Sequence, residues 1–273
     1  MSTFSIYNIY MNDSQWEAFS RFRSDYKEKC DEWNDKAKKF DFLSLQKQAS
    51  KFDKVPEYPI ENPVLYSTDL DKFTKESNIK LILIGDNPGK NEQLDINKKY
   101  LCGQAGKLAC SFFNTNKDLK VNWDSNVLIL KKTPLHSAKT KELTSMLSLA
   151  KGRQKEELEK MLTESQVWCA QRTVQLHKDL NSFSTLPVAN CFVWIVGYSE
   201  LKKKGIFTNY KDEITSFYKA RENTSLKNSL LVFQHFSMNR FSIDLKVNYN
   251  KILSTAENLY QLGFRHRKEI LGF

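Results

Sequence analysis

The chain is poor in residues that hold metals or tie a fold together covalently. Among its 273 residues there are five cysteines, which are scattered and include no C-x-x-C pair. That pattern argues against a disulfide framework, a zinc ribbon and an iron–sulfur motif. The four histidines also lack the spacing of metal ligands, and no H-E-x-x-H motif occurs. The sequence therefore predicts neither a metal nor a cofactor.

Long apolar segments are absent as well. No apolar run approaches the roughly 18 residues that a membrane-spanning helix needs. Residues 1–4 (MSTF) do not provide the basic region that precedes the apolar stretch of a signal peptide. Internal repeats and low-complexity tails are not found either. We therefore expect a soluble, cytoplasmic protein with no membrane partner.

Positive charge is in excess. Lys and Arg number 42 against 32 Asp and Glu, which gives a formal net charge of +10. A surface this basic attracts polyanions, and nucleic acid is the first candidate partner. The alternative is that the lysines serve solubility, or that they reflect a general richness in Lys and Asn.

Four short apolar runs, rich in branched and aromatic residues, predict a buried sheet. They are residues 79–84 (IKLILI), 127–130 (VLIL), 191–196 (CFVWIV) and 230–233 (LLVF). Continuous apolar runs of this length are typical of strands that are buried on both faces of a parallel sheet. The predicted fold class is therefore α/β, with a central four-stranded parallel sheet in a three-layer αβα arrangement.

Segments with helical character lie between and after these runs. They are residues 105–114, 155–180, 213–219 and 249–262. The last of them is expected to end at Gly263, because helices often stop at glycine. Alternating strands and helices indicate right-handed βαβ units with helices on both faces of the sheet. We expect one α/β domain over residues 1–273.

Two further segments are predicted around this repeating core. Residues 1–75 form an N-terminal helical extension, in which residues 14–31 have the aromatic stripe of an amphipathic helix. Residues 46–63 carry prolines and charges and are expected to be an extended lead-in to the sheet. Residues 137–186 are long for a connection, so we interpret them as a helical insertion.

Polar, turn-forming segments follow three of the predicted strands. They are residues 85–90 (GDNPGK), 131–136 (KKTPLH) and 234–240 (QHFSMNR). Ligands of open parallel sheets bind beyond the carboxyl ends of the strands, so topology alone predicts that these segments converge. Neither phosphate-loop motif is present. Only three residues separate Gly85 from Gly89, where a Walker loop needs four, and no G-x-G-x-x-G follows a strand.

Three motifs, two of which overlap these segments, resemble the uracil-DNA glycosylase superfamily. Residues 82–89 (ILIGDNPG) are similar to its first motif, a strand ending in Gly, two variable residues, Pro and usually Gly. Residues 102–108 (CGQAGKL) resemble the G-x-A-G-x-L segment of the thermostable branch. Residues 235–240 (HFSMNR) are similar to the second motif, His-Pro-Ser-Pro followed by a wedge residue. The motifs occur in the family's order over residues 79–264.

The resemblance implies an enzyme that hydrolyses the N-glycosidic bond of uracil or a related deaminated base in DNA, a step of base excision repair. Asn87 orients a water, Asp86 acts as a base or as the electrostatic partner of the sugar cation, and His235 donates a hydrogen bond to the departing base. Such an enzyme extrudes the nucleotide from the stack. We expect a monomer that binds single- or double-stranded DNA and needs no iron–sulfur cluster.

The same resemblance implies contact roles for further residues. Substrate-binding candidates are Gly85, Pro88, Gly89, Tyr100, Leu101, Lys131 and Ser237, the last through a backbone phosphate. Candidates for the wedge or for phosphate contacts are Met238, Asn239, Arg240 and Lys132. Several alternatives stay open. Tyr100 and Leu101 either stack on the base or cap the sheet, and the two lysines are either a solvated pair or phosphate contacts.

The chain departs from the family pattern at two places. Phe236 stands where the second motif has Pro, and Lys131-Lys132-Thr133 replaces the neighbourhood in which many members have an Asn that reads the pyrimidine. A Lys cannot offer the paired donor and acceptor of an amide, so the base specificity is open. One alternative is a nucleic-acid-binding protein that keeps the glycosylase fold without catalysis. Another is an unrelated flavodoxin-like or nucleotide-binding enzyme that shares only the sheet.

Overall fold

A computed structural model describes residues 10–182 and 191–273, and four parallel strands form its central sheet. The strands are β1 (Leu81–Gly85), β2 (Val127–Lys131), β3 (Phe192–Val196) and β4 (Leu230–Phe233). Their order across the sheet is β2-β1-β3-β4. In register, Gly85 pairs with Lys131, and Ile84 pairs with Ile195. The prediction of a four-stranded parallel sheet is confirmed.

The helices cover both faces of this sheet. They are α1 (Asp13–Lys39), α2 (Phe42–Phe52), α3 (Gln104–Thr115), α4 (Trp123–Asn126), α5 (Lys141–Leu149), α6 (Gly152–Ser182), α7 (Thr208–Lys219), α8 (Thr224–Lys227), α9 (Arg240–Val247) and α10 (Thr255–Leu271). Short 3-10 helices occupy Thr68–Lys72, Lys117–Leu119, Ser199–Leu201, Arg221–Asn223 and Ser237–Asn239.

The buried apolar side chains form two hydrophobic clusters, one on each face of the sheet. Ile82 and Ile84 of β1 belong to the cluster that contains buried residues of α1, α2, α5, α6 and α7. Leu81 and Leu83 belong to the cluster with α3, α4, α9 and α10. Because successive side chains of a strand point to opposite faces, each apolar run supplies both clusters at once. The three-layer αβα class is therefore confirmed.

The N-terminal segment is more helical than its sequence indicates. Helix α1 begins at a capping box in which Asn12 and Gln15 exchange side-chain and backbone hydrogen bonds, and it continues to Lys39. The prediction that residues 46–63 are extended is wrong for their first part, because α2 covers Phe42–Phe52. Residues 1–9 of the predicted extension lie outside the described residues.

The predicted helical insertion contains α5 and α6, and its residues 183–186 lie outside the described part of the chain. Helix α6 packs between α1 and α7, so the segment is an integral part of one helical layer. Among residues 10–182 and 191–273, no helix has both the length and the apolar character to cross a membrane.

The helix predicted over residues 249–262 is misplaced. A capping box of Ser254 and Glu257 begins α10, which runs through Gly263 and ends where Gly272 adopts a φ of 78°. A Cβ on Gly263 would lie 2.6 Å from Cζ of Phe233 and 2.7 Å from Cβ of Leu231. The glycine therefore serves close packing of α10 on β4 and does not stop the helix.

Candidate functional site

A pocket of about 270 Å³ opens at the carboxyl ends of the strands, close to the lower end of the range of about 300–1,000 Å³ found for small-molecule sites. Strands β1 and β3 are neighbours, while the chain leaves β1 toward β2 and leaves β3 toward β4. The crevice between β1 and β3 is therefore the topological switch point of the sheet, where open α/β folds bind ligands. Residues that follow all four strands line the pocket.

Asp86 and His235 approach each other across Gly197. A Cβ built on Gly197 would lie 3.0 Å from Oδ2 of Asp86 and 3.1 Å from Cδ2 of His235. Gly197 follows β3 and has a φ of 82°, a conformation that side chains with a Cβ rarely adopt. The loops after β1, β3 and β4 thus meet at one glycine, as the sequence predicted for the first and last of them.

The hydrogen bonds of His235 fix its tautomer. The backbone N–H of Ser237 donates to Nδ1 of His235 at 2.9 Å, and the Ser237 hydroxyl lies 2.7 Å from the same nitrogen. Because Nδ1 accepts, the neutral ring carries its proton on Nε2. No partner for this N–H is found among the described residues, so it is available to a ligand in the pocket.

Burial keeps this imidazole neutral. It lowers the pKa of His235 to about 4, against a smaller opposing effect of the Asp86 carboxylate. Lys131, Lys132 and Arg240 lower the same pKa further, because each adds positive charge nearby. A neutral Nε2–H donor is therefore present throughout the physiological pH range.

Asn87 presents an acceptor without a partner. Its side chain is buried, and its Nδ2 donates to Oγ of Ser137 at 2.8 Å. That bond orients the amide, and Oδ1 is left buried with no hydrogen-bond partner in the described structure. Unsatisfied buried acceptors are uncommon in proteins. Asn87 lines the pocket, but this oxygen is closed to solvent, so a water or a ligand N–H reaches it only when the side chains that cover it move.

The segment after β2 forms hydrogen bonds that support the loop carrying Asn87. The carbonyl of Pro88 accepts from Nδ1 of His136 at 2.9 Å and from the backbone N–H of Ser137 at 3.2 Å. Nε2 of His136 lies 3.0 Å from the hydroxyl of Tyr58. Burial lowers the pKa of His136 to about 4, so a neutral imidazole makes these hydrogen bonds.

Lys132 is the centre of a buried clamp. Its Nζ lies 2.5 Å from Oδ1 of Asp86 and donates to the carbonyls of Val196 and Gly197 at 3.1 and 3.0 Å. Burial lowers the pKa of Lys132, and the adjacent Asp86 carboxylate opposes that effect. With 0% exposure, the side chain is neither solvated nor able to reach a phosphate, which corrects both interpretations of Lys132 from the sequence.

Lys131 is also buried, so the solvated-pair alternative is wrong for both lysines. Its Nζ forms an ion pair with Glu92, 2.8 Å from Oε2, and lies 3.3 Å from the carbonyl oxygen of Asn87. Unlike Lys132, it lines the pocket together with Glu92.

Of the two candidates for stacking, the structure brings only Leu101 to the pocket. Tyr100 is 1% exposed, its hydroxyl donates to the carbonyl of Leu65 at 2.6 Å, and it lies 2.7 Å from the hydroxyl of Tyr26. These contacts assign Tyr100 to the core beneath the pocket and not to a base.

The segment after His235 forms one rim of the pocket. Met238 and Asn239 have φ values of 53° and 55°, and Met238 is 76% exposed although it is apolar. Non-glycine residues in this conformation are uncommon, and they cluster at functional loops. Ser237 and Arg240 flank them and line the pocket.

The remaining predicted residues contribute mainly through the backbone. The carbonyl of Gly85 accepts from the N–H of Lys132 at 3.1 Å, Pro88 supplies the braced carbonyl, and Gly89 lines the pocket. The pocket is also lined by Glu92, Ser137 and Gly197, which were not predicted from the sequence. Gly197 and Ser137 follow predicted strands at the expected edge, so their position was the available signal, whereas Glu92 shows none.

The described residues contain no group of three His, Cys, Asp or Glu side chains able to hold a metal ion. No protein-family model matches the chain, and no match is found among curated proteins or solved structures.

Proposed function

We propose that this chain is a DNA glycosylase that releases uracil or a related deaminated base by hydrolysis. The observation that carries the proposal is the convergence of Asp86, Asn87 and His235 on one pocket at the switch point of the sheet. The excess of positive charge supports a polyanionic substrate. The three motifs that resemble the uracil-DNA glycosylase superfamily agree with both features.

Each of the three side chains has a free group that suits one part of the reaction. The unpartnered Oδ1 of Asn87 orients a water, and Oδ2 of Asp86, the oxygen that Lys132 does not engage, faces the positive charge that develops on the sugar. The N-glycosidic electron pair leaves with the base. The Nε2–H of His235 donates to the carbonyl oxygen on which that negative charge collects. The water oxygen bonds to the sugar carbon and its proton passes to Oδ2 of Asp86, which returns it to solvent, while the released base anion takes up a proton from solvent.

The rim after β4 suits a nucleotide that is turned out of a duplex. Met238 offers an exposed apolar side chain and Arg240 a cation, the two kinds of group that fill a gap in a base stack. The left-handed backbone of Met238 and Asn239 projects this turn from the rim. Ser237 is occupied with the His235 ring, and its contact with a phosphate stays a prediction.

A second candidate function is nucleic-acid binding without catalysis. The observation that favours it is the ion pair between Asp86 and Lys132, because a carboxylate engaged by a buried ammonium is a weaker base. Phe236 in place of the expected Pro, 1% exposed, favours it as well, since the second motif then packs differently.

The experiment is a base-release assay on single- and double-stranded oligonucleotides that contain uracil or hypoxanthine. We expect release by the wild type, a loss of about 10²–10⁴-fold in Asn87→Ala and of about 10²–10³-fold in His235→Ala. Asn116→Ala serves as the control, because this amide bonds to Phe112 at the end of α3, outside the pocket. Salt-dependent binding without release supports the second candidate. A wild type that neither releases a base nor binds these oligonucleotides rules out both.

A further inference from the structure

The side of the pocket nearest β2 contains a buried ion pair that the proposed mechanism does not use. Lys131 ends β2, and Glu92 lies in the loop after β1. Their side chains are 2% and 10% exposed, and both line the pocket. The register pairs Lys131 with Gly85, on the opposite side of β1 from the strands that lead to Gly197 and His235.

Lys131 and Glu92 differ in how much of their hydrogen-bonding capacity is already used. An ammonium has three donors, and the Nζ of Lys131 has three acceptors within reach: both oxygens of Glu92, at 3.2 and 2.8 Å, and the carbonyl of Asn87, at 3.3 Å. A carboxylate has about four acceptor sites. Glu92 uses them for Lys131 and for the backbone N–H of Leu101 at 3.0 Å. The capacity left for a ligand is therefore that of an acceptor.

Oε2 of Glu92 is the atom that holds this spare capacity. It is closed to solvent, and its one polar contact among the described residues is the ammonium of Lys131 at 2.8 Å, whereas Oε1 is engaged by both Lys131 and the backbone N–H of Leu101. Burying a carboxylate oxygen without full hydrogen bonding costs free energy, and a donor from a ligand recovers part of that cost. A ring nitrogen that carries no hydrogen would instead direct its lone pair at the carboxylate, and the two groups would repel each other.

We propose that Glu92 accepts a hydrogen bond from the ring N–H of the bound base, and that Lys131 is a positioning residue that holds this carboxylate and balances its charge. The inference rests on the proposed function and specifies its substrate class as bases in the lactam form, in which a ring N–H adjoins a carbonyl. Uracil and hypoxanthine both belong to that class.

The test compares substrates that differ by one methyl group. Oligonucleotides with deoxyuridine are paired with the same sequences carrying 3-methyldeoxyuridine, and those with deoxyinosine with 1-methyldeoxyinosine. Sites that are built to hydrogen-bond a substrate N–H discriminate by up to about 10⁴–10⁵-fold. We expect the wild type to release the methylated bases at least about 100-fold more slowly.

A double variant separates recognition from folding. Glu92→Leu with Lys131→Met replaces the pair by apolar side chains of similar length, an exchange that buried ion pairs often tolerate. We expect its discrimination between each methylated and unmethylated substrate to fall to within about tenfold of unity. The control is Lys36→Met with Glu164→Leu, which removes the ion pair between α1 and α6 and leaves the ratio at its wild-type value.

The outcomes distinguish the inference from the function on which it rests. Equal release of methylated and unmethylated bases by the wild type, or an unchanged ratio in the double variant, overturns the role of Glu92 and leaves the glycosylase intact. Where the wild type binds these oligonucleotides without turnover, the ratio of dissociation constants replaces the ratio of rates in the same comparison. Neither release nor binding of any probe overturns both proposals.

Discussion

The Nζ of Lys132 lies 2.5 Å from Oδ1 of Asp86, inside a clamp that joins the ends of three strands. Lys132 follows β2, Asp86 follows β1, and the two carbonyls that complete the clamp belong to Val196 and Gly197 at the end of β3. The ammonium is fully buried, and the carboxylate is 17% exposed. This ion pair therefore engages Oδ1 of Asp86 and leaves Oδ2 unpaired, while both oxygens lie close to Gly197.

Removing one partner of that pair is expected to be costly. Lys132→Met leaves the largely buried Asp86 carboxylate without its cation, and breaking a buried pair costs about 3–5 kcal/mol. Asp86→Asn with Lys132→Met should recover most of that loss, because no unpaired charge remains. The measurement is urea unfolding of the wild type, the two single variants and the double variant, combined as a double-mutant cycle.

The control for this cycle is a pair at the surface. Lys36 and Glu164 are 43% and 38% exposed, so Lys36→Met should cost less than about 1 kcal/mol. A Lys132→Met variant that is no less stable than Lys36→Met would contradict the clamp.

Gly197→Ala is expected to damage both the fold and the site. A φ of 82° strains any residue with a Cβ by about 1–3 kcal/mol. The new methyl would also lie 3.0 Å from Oδ2 of Asp86 and 3.1 Å from Cδ2 of His235. Displacing reacting groups by about 1 Å can cost about 10²-fold in rate, so base release should fall by about that factor.

Gly103→Ala is the matched control, because nothing lies within 4 Å of a Cβ at Gly103. Unfolding free energies and single-turnover rates are measured for both variants. The proposed meeting of three loops at Gly197 is contradicted when the two substitutions have equal effects.

The sheet could be predicted from sequence because its strands are short apolar runs buried on both faces. Leu230–Phe233 is reproduced to the residue, and the predicted boundaries of the other three differ by at most two residues. The convergence of Asn87 and His235 was also predictable, since it follows from the position of each at the carboxyl end of a parallel strand.

The environment of the charged residues could not be predicted. Lys131 and Lys132 have the sequence appearance of solvated lysines, and only their distant partners, Glu92 and Asp86, make their burial possible. Gly197 stands directly after a predicted strand, but its role is set by two side chains that follow other strands. Nonlocal partners of this kind are not encoded in a short motif.

Gly263 does not follow the local rule that glycine ends a helix, because tertiary packing overrides it. This packing predicts the sign of the change in unfolding free energy when Gly263 is replaced. In a helix, replacing Gly by Ala gains about 1 kcal/mol from propensity alone. A Cβ here would lie 2.6 Å from Phe233 and 2.7 Å from Leu231, and overpacking of a core costs about 1–3 kcal/mol. We expect Gly263→Ala to lower the unfolding free energy, as measured by urea titration.

Shortening the side chain opposite provides the control. Phe233→Leu with Gly263→Ala should be less destabilised than the sum of the two single variants, because Leu vacates the position of Cζ. A stabilised Gly263→Ala variant would mean that α10 and β4 lie farther apart than described.

Three buried histidines predict a loss of stability on mild acidification. Burial lowers the pKa values of His136, His177 and His235 to about 4, below the value of about 6.5 in an unfolded chain. The unfolded state therefore binds more protons between these two values. Stability is fully present above about pH 6.5 and decreases as the pH falls toward 4. Each pKa unit is worth about 1.4 kcal/mol per group, so the total effect is several kcal/mol.

Between pH 6.5 and 5, carboxylates with lowered pKa values, such as Asp53, do not yet lose stability, while Glu142, whose pKa is raised by burial, opposes the effect of the histidines. Urea unfolding at pH 7.5, 6 and 5 gives the slope. His177 contacts Tyr218, Ser229 and the carbonyl of Cys191 in the core, away from the pocket. His177→Gln should therefore be less stable at pH 7.5 yet lose about a third of the pH dependence. An unfolding free energy that stays constant from pH 7.5 to 5 would contradict the neutral, buried state of these side chains, and with it the Nε2–H donor of His235.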